Sequence, residues 1–372
     1  MEKKWNWQQE DWPHFQYNDS LISDCERLFL QRSYIAIGTS NALSEPDKEM
    51  LIVELTTNEA YKTSEIEGEF LDRESLQSSI KRHFGLSKNT SKYRPKEDGI
   101  AQLIFENYKG FQTPLSHETL WEWHRLLMQS RHDLEMIGGY RTHQEAMQIV
   151  SGYLHKPKVH FEAPPSHMVY DEMTTFIGWF NTSLNDDFFK NKPILRAAIT
   201  HLWFVTIHPF EDGNGRIARA LVEKAVWQNI GHPFLFALSQ TIQSERKGYY
   251  LSLEEQNKFN TIDLWLSYFA KLMIDALSYT EKKISLILKK DAFFRKYDGV
   301  INERQTKVIN KLFEHGLGGF KGALSAKKYV SITGASASTA TRDLQEMLKD
   351  GILRKEGLLK GTRYFLTCLD DL

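Results

Sequence analysis

His208-Pro209-Phe210-Glu211-Asp212-Gly213-Asn214-Gly215-Arg216-Ile217-Ala218-Arg219 is the stretch whose reading decides this chain. The histidine closes an apolar helical run at a proline, so it falls at a helix C-terminus facing a loop. Its ordinary pKa lets it take up a proton near neutrality. Four residues on, Asp212 offers a hard oxygen ligand of the kind Mg²⁺ prefers. Gly213-Asn214-Gly215 lets backbone approach a ligand closely. The helix expected next, over about 217–229, would turn its free N–H groups and positive dipole end on the same space. Arg216 and Arg219 are neighbours on one face of that helix, and guanidinium forks clamp phosphate oxygens. One loop thus assembles a base, a metal ligand, an anion nest and two phosphate clamps. A lone histidine or a lone Gly-Asn-Gly reads more simply as a capped loop. The full string does not, because seven fixed positions at roughly 5% usage each recur by chance at about one site in 10⁹.

Outward from this loop, helical periodicity dominates. Helices are expected over about 168–181 and 193–206 before it and about 261–290 after it. Nearer the start, Asp19 offers a cap for a helix through Leu28 and Ile35, a second helix covers about 48–67, and Asp72 caps a third over 74–84. After a polar stretch at 87–96, helical patterns resume at 100–108 and 117–128. The segment 142–165 departs from this. Ile149-Val150 and Val159-His160-Phe161 read as two short strands around a turn, a hairpin flap in a helical domain. Beyond Asp298-Gly299 come three helix candidates (303–315, 325–332, 338–349), then strands at 351–353 and 363–366, the pattern of a winged helix. The fold class expected is mainly α: a helical core with a β-hairpin flap, followed by a small C-terminal winged helix-turn-helix domain. The expected divisions are 1–110, 111–295 and 296–372.

Composition narrows the function classes. The chain has 372 residues, is 41% hydrophobic and 26% charged, and carries a formal net charge of −1. Nothing in that balance calls for nucleic acid or a membrane surface. Two cysteines, Cys25 and Cys368, have no metal-ligand spacing and fit a reducing cytoplasm. Residues 1–12 lack the apolar stretch of a signal peptide, and the apolar run 197–207 is too short to span a bilayer. A cytoplasmic protein without a membrane segment is expected.

The 208–219 string resembles, without departure, the signature H-x-F-x-D/E-G-N-G-R-x-x-R of the Fic (filamentation induced by cAMP) family. Trp5-Asn6-Trp7-Gln8-Gln9 with Trp12-Pro13 is similar to the start of a Fic subfamily that ends in a winged helix, and Tyr140-Arg141-Thr142 and Ala163-Pro164-Pro165 resemble the borders of its flap. The resemblance implies a protein adenylyltransferase that moves AMP from ATP to a Ser, Thr or Tyr hydroxyl of a target protein, or of itself. It implies that His208 takes the hydroxyl proton, Asp212 holds Mg²⁺, Gly213, Asn214 and Gly215 cradle phosphates, and Arg216 and Arg219 neutralise charge. Tyr249, Tyr250 and Asn257 resemble the segment lining the adenosine pocket, although an aromatic pair on a helix equally suits a core. The flap strand Val159, His160, Phe161 and Glu162 would cover the nucleotide and align the target backbone.

Thr63-Ser64-Glu65-Ile66-Glu67-Gly68 fits the family's inhibitory pattern S/T-x-x-x-E-G/N. By that resemblance, Glu67, one helical turn beyond Thr63, would pair with Arg219 and keep it from the γ-phosphate. Glu67 positioning a water for AMP removal stays open, as do another nucleotide donor and a nucleotide-sensing, DNA-binding regulator. Over 301–372, Lys and Arg outnumber Asp and Glu by 12 to 8. The positive side is carried mostly by Lys321, Lys327, Lys328, Arg342, Lys349, Arg354, Lys355, Lys360 and Arg363. DNA contact through 296–372, protein docking and a homodimer are all compatible with this segment.

Overall fold

A computed structural model describes residues 4–87, 94–153, 156–316 and 323–370. Residues 88–93 of the polar stretch, and Lys321, lie outside the described residues. The chain divides into two compact units, one of residues 1–38 and 48–279, the other of residues 39–47 and 280–372.

Eleven of the described helices open the chain in order: α1 (Ser23–Asn41), α2 (Glu45–Ile66), α3 (Arg73–His83), α4 (Pro95–Lys109), α5 (His117–Met128), α6 (Val169–Ser183), α7 (Pro193–Ile207), α8 (Asn214–Ile230), α9 (Leu238–Ser244), α10 (Arg246–Gln256) and α11 (Asp263–Lys296). Local chemistry sets several of their ends. The Asp72 carboxylate accepts the Ser75 N–H (2.8 Å) to start α3, and the Ser116 hydroxyl accepts the Thr119 N–H (3.2 Å) to start α5. At α1 the capping side chain is Asn18 rather than Asp19, and it opens a short 3-10 turn ahead of the helix.

α7 and α8 are buried on nearly every face and form the centre, with Leu195, Leu202, Phe204, Leu221, Val226 and Trp227 inaccessible or nearly so. A charge in that centre needs all its donors used. Arg196 gives its N–H groups to the carbonyls of Phe180 (2.7 Å) and Ala225 (3.0 Å) and to the Ser183 hydroxyl (2.9 Å). α8 starts at Asn214, three residues earlier than periodicity suggests. Gly213 takes a left-handed φ of +84° as its cap, which lets Asn214-Gly215 join the helix despite glycine's poor propensity.

Between α5 and α6, β1 (Gln148–Tyr153) and β2 (Lys156–Glu162) pair antiparallel, with Ile149 opposite Phe161, Val150 opposite Val159, and a register shift between Ile149 and Val150. The hairpin base is held by the first residues of the chain. Trp5 meets Phe161 edge to face at 5.4 Å, and the Trp7 indole donates to the Glu162 carbonyl (2.7 Å). Between these tryptophans Asn6 is fully buried. Its backbone N–H donates to the Asn257 carbonyl (2.7 Å), its side-chain amide donates to the Thr206 hydroxyl (3.2 Å), and its carbonyl accepts the Asn260 amide (3.2 Å).

In the second unit, α12 (Glu303–His315), α13 (Ala326–Thr333) and α14 (Ala337–Lys349) precede an antiparallel hairpin of β3 (Leu353–Glu356) and β4 (Arg363–Leu366). That is the element order expected of a winged helix. Val308, Ile309, Phe313, Leu344 and Met347 form its core. Inside it, the Asp343 carboxylate accepts both the Arg304 guanidinium (2.9 and 3.1 Å) and the Tyr329 hydroxyl (2.8 Å). Among the described residues, no helix is long and apolar enough to cross a membrane.

Candidate active site

The loop between α7 and α8 holds the start of the 208–219 string, and its shape follows from its own side chains. Asn214 is buried and staples the loop: its amide oxygen accepts the Phe210 N–H (3.0 Å) and its amide nitrogen donates to the Phe210 carbonyl (2.8 Å). The Asn214 side chain is therefore spent on holding the turn. The backbone N–H groups of Asn214, Gly215 and Arg216 are first-turn donors of α8 with no acceptor inside the helix.

His208 caps α7 in a left-handed conformation, φ +51°. Its carbonyl accepts Arg141 Nε (2.8 Å). Arg141 is itself buried, and it also donates to the Ser166 hydroxyl and the carbonyls of Ile207 and Pro164. One guanidinium thus fastens the histidine to the far border of the flap. His208 Nδ1 lies 3.2 Å from the Val205 carbonyl oxygen. A carbonyl only accepts, so Nδ1 keeps the proton and Nε2 presents a lone pair. Burial lowers the imidazole pKa to about 4, opposed by the Val205 contact, so the ring is neutral at physiological pH.

Asp212 sits between Arg131 and Arg216, the second at 3.2 Å. Burial works to raise its pKa, but the two guanidiniums outweigh it and the carboxyl stays below its ordinary value. Arg131 is aimed by a bidentate pair with Asp133 (2.7 and 2.7 Å). Glu211 accepts the N–H groups of Glu135 (3.0 Å) and Met136 (2.9 Å), tying that segment to the α7–α8 loop.

Both arginines of the motif are buried. Arg219 donates Nε to the Thr63 hydroxyl (2.6 Å), and Nη2 to the Thr63 carbonyl (2.9 Å) and to Glu67 Oε1 (2.8 Å). Burial opposes its charge, and Glu67 more than restores it. Arg216 donates to Glu69 Oε2 (2.6 Å) as well as to Asp212. Glu67 lies directly over Gly215: a β-carbon there would stand 2.1 Å from Glu67 Oε1. Only glycine leaves room for that carboxylate in the nest.

A cavity of about 860 Å³ opens over this arrangement. His208, Gly215 and Glu67 line one part of it; Tyr249, Tyr250, Leu253 and Asn257 line another; Ile149, Val150, His160 and Phe161 of the hairpin face it. Of the four flap residues, Val159 packs on the Trp5 cluster and Glu162 pairs with Gln148 (2.7 Å), so these two face elsewhere. Tyr249 is largely core, its hydroxyl 2.9 Å from His201 Nε2, while the Tyr250 hydroxyl donates weakly to Glu67 Oε2 (3.4 Å). The flap is pinned to α10 by Glu254, which accepts Lys158 (2.9 Å) and pairs with His160 (2.8 Å).

A family model for the Fic/DOC family matches residues 114–225. This segment is a Fic domain. A second model, for a domain of unknown function (DUF4172), matches 5–86, the part that supplies Trp5, Asn6 and Glu67. Protein adenylyltransferase fic-1 of Caenorhabditis briggsae is 27% identical over 139 residues, 36% of this chain and 26% of that protein. Protein adenylyltransferase Fic of Nematostella vectensis is 35% identical over 136 residues, 37% and 27% of the two chains. The chain thus matches only about a quarter of the length of these relatives. A Fic family protein from Desulfovibrio desulfuricans G20 shares the fold at a TM-score of 0.50 and 18% identity, over 93% of this chain and 97% of that one.

Arg131, Arg141, Glu69 and Glu254 carry contacts of the Fic domain's site that sequence reading does not assign. The one local signal is Glu67-Gly68-Glu69, two acids astride a glycine at a helix end.

Proposed function

We propose that this chain is a Fic-type protein adenylyltransferase that transfers AMP from ATP to a hydroxyl side chain of a protein, held in check by its own Glu67. The observation that carries the proposal is the pairing at one cavity wall of a neutral His208, with Nε2 free, and an anion nest in which a carboxylate already lies against Arg219. A carboxylate in that nest mimics the charge of a terminal phosphate. Among the described residues, no cluster of three or more His, Cys, Asp and Glu could hold a metal by itself. A single Asp212 fits Mg²⁺ brought in on the nucleotide's own phosphates. Bound there, the ion would draw negative charge from the α- and β-phosphates.

In the reaction, the target hydroxyl oxygen bonds to the α-phosphorus as the bond to the β-phosphate oxygen breaks. His208 Nε2 takes the hydroxyl proton, and pyrophosphate leaves toward Arg216 and Arg219. Catalysis of this kind is positioning and electrostatics. Arg141 holds the base in place, the stapled loop aims the α8 N–H groups, and the hairpin walls the cavity. Tyr250 and Leu253 offer apolar surface to a base. The test is transfer from ATP labelled at the α-phosphate. Covalent label on Glu67→Gly protein, absent from Glu67→Gly/His208→Ala protein, is expected. Absence of label from both, with Mg·ATP bound, overturns the proposal.

A further inference from the structure

The end of α2 delivers a second carboxylate besides Glu67. Beyond Ile66 the chain turns through Gly68 at φ +82°, and Glu67 and Glu69 both donate their backbone N–H to the Ser64 carbonyl (3.1 and 2.9 Å). That turn sends two side chains, two residues apart, onto two guanidiniums three apart on α8. Glu67 Oε1 meets Arg219 Nη2 at 2.8 Å, and Glu69 Oε2 meets Arg216 Nη1 at 2.6 Å. Both arginine side chains are 2% exposed, and each keeps one buried nitrogen without a hydrogen-bond partner, Nη1 of Arg219 and Nε of Arg216. Lys96 of α4 lies 3.7 Å from the other oxygen of Glu69.

We propose that Glu69 is a second arm of the inhibitory device, holding Arg216 as Glu67 holds Arg219. The proposal rests on the adenylyltransferase reading above. An ion pair that merely oriented Arg216 for phosphate would leave an outward donor for the phosphate to use. Here both terminal nitrogens already face carboxylates, Nη1 that of Glu69 and Nη2 that of Asp212, and the buried Nε has no partner. A triphosphate therefore meets two guanidiniums whose carboxylates hang from one turn. It gains full use of either only as that turn lifts from α8.

The test is calorimetric binding to the full chain of Mg²⁺ with an ATP analogue whose α–β bridging oxygen is a methylene, so that nothing turns over. Glu69→Gln removes the charge at constant size and is expected to tighten binding about 3- to 10-fold. Glu67→Gly is expected to tighten it more. The double variant should fall short of the product of the two, because the arms share one turn. Glu69→Asp keeps the charge but draws it back by one methylene. It should shift binding in the same direction, and it serves if the glutamine variant melts early. Unchanged or weaker binding in both Glu69 variants, beside a tightened Glu67→Gly, overturns the second arm and leaves the first standing. Failure of Glu67→Gly to tighten binding strikes the underlying reading instead.

Discussion

Replacing Glu67 by glycine should push stability and nucleotide affinity in opposite directions. The pair it removes joins an Arg219 side chain that is 2% exposed to a Glu67 side chain that is 25% exposed, at 2.8 Å. A charge-assisted hydrogen bond in such a setting contributes about 1.5–3 kcal/mol, and the partial exposure of Glu67 argues for the lower half of that range. Arg219 keeps both bonds to Thr63, so the loss stays near one pair. Residue 67 lies past the last residue of α2, so glycine adds little helix penalty. The free protein should lose about 1.5–2 kcal/mol, a fall in Tm of roughly 3–8 °C for a unit of this size. Any triphosphate that uses Arg219 must displace Glu67 from the wild type, forfeiting the same amount. Mg·ATP should therefore bind the variant about 10- to 30-fold more tightly. Differential scanning fluorimetry with and without Mg·ATP reads both effects: the variant starts lower and gains more from the ligand. A variant that melts lower but gains no more from Mg·ATP than wild type would refute the reasoning and leave the pair a structural contact.

Four further outcomes follow from the same geometry. His208→Ala should lower AMP transfer by about 10²- to 10⁴-fold, measured in the Glu67→Gly background, with Mg·ATP affinity within about twofold. Because burial holds that imidazole near 4, well below its ordinary 6.5, the base is already free above about pH 5, and the transfer rate should show no inflection at the usual histidine pKa. Behind Arg219, burial raises Glu59 to about 7 and, with the charge of Glu59, lifts Glu223 well above its ordinary value. A raised carboxyl stabilises the fold below its ordinary pKa and loses that contribution as pH climbs from there through its folded pKa, so Tm should drop between about pH 4.5 and 7, and Glu223→Gln should flatten the drop. Glu254→Gln should speed amide exchange over 148–151 and 158–162 about two- to fivefold by releasing Lys158 and His160, and leave α7 and α8 unchanged.

The 208–219 loop was legible because its chemistry is contiguous. Base, acid, glycines and arginines stand within twelve residues, and their roles follow from side-chain type and helix ends alone. The flap was legible from β-branched pairs interrupting helical periodicity, and the C-terminal unit from its caps and turn at Gly334. What stayed hidden is pairing at a distance. Arg131 meets Asp212 across 81 positions, and Glu69 meets Arg216 across 147; in sequence each is an ordinary charged residue on a polar stretch. Arg141 could be singled out only as a flap border, because its function lies in four oxygen acceptors supplied by other segments. Asn214 hid a second part: beside its place in the Gly-Asn-Gly stretch, its side chain closes a ring with Phe210, a contact that the string does not show.

Asn6 sets a timetable for biosynthesis. It bridges Thr206, two residues ahead of the base, to Asn257 and Asn260, which lie about 250 positions downstream. As the chain leaves the ribosome, residues 4–16 emerge about 250 positions ahead of the partners they will bond to. They must wait through the synthesis of ten helices before Asn260 and Ile262 arrive to bond with Asn6 and Gln16. Until then Trp5 and Trp7, which hold the hairpin base, have no anchor on the residues beyond α10. The surroundings of His208 are thus incomplete through most of translation, and settle only once residues 257–262 have been made.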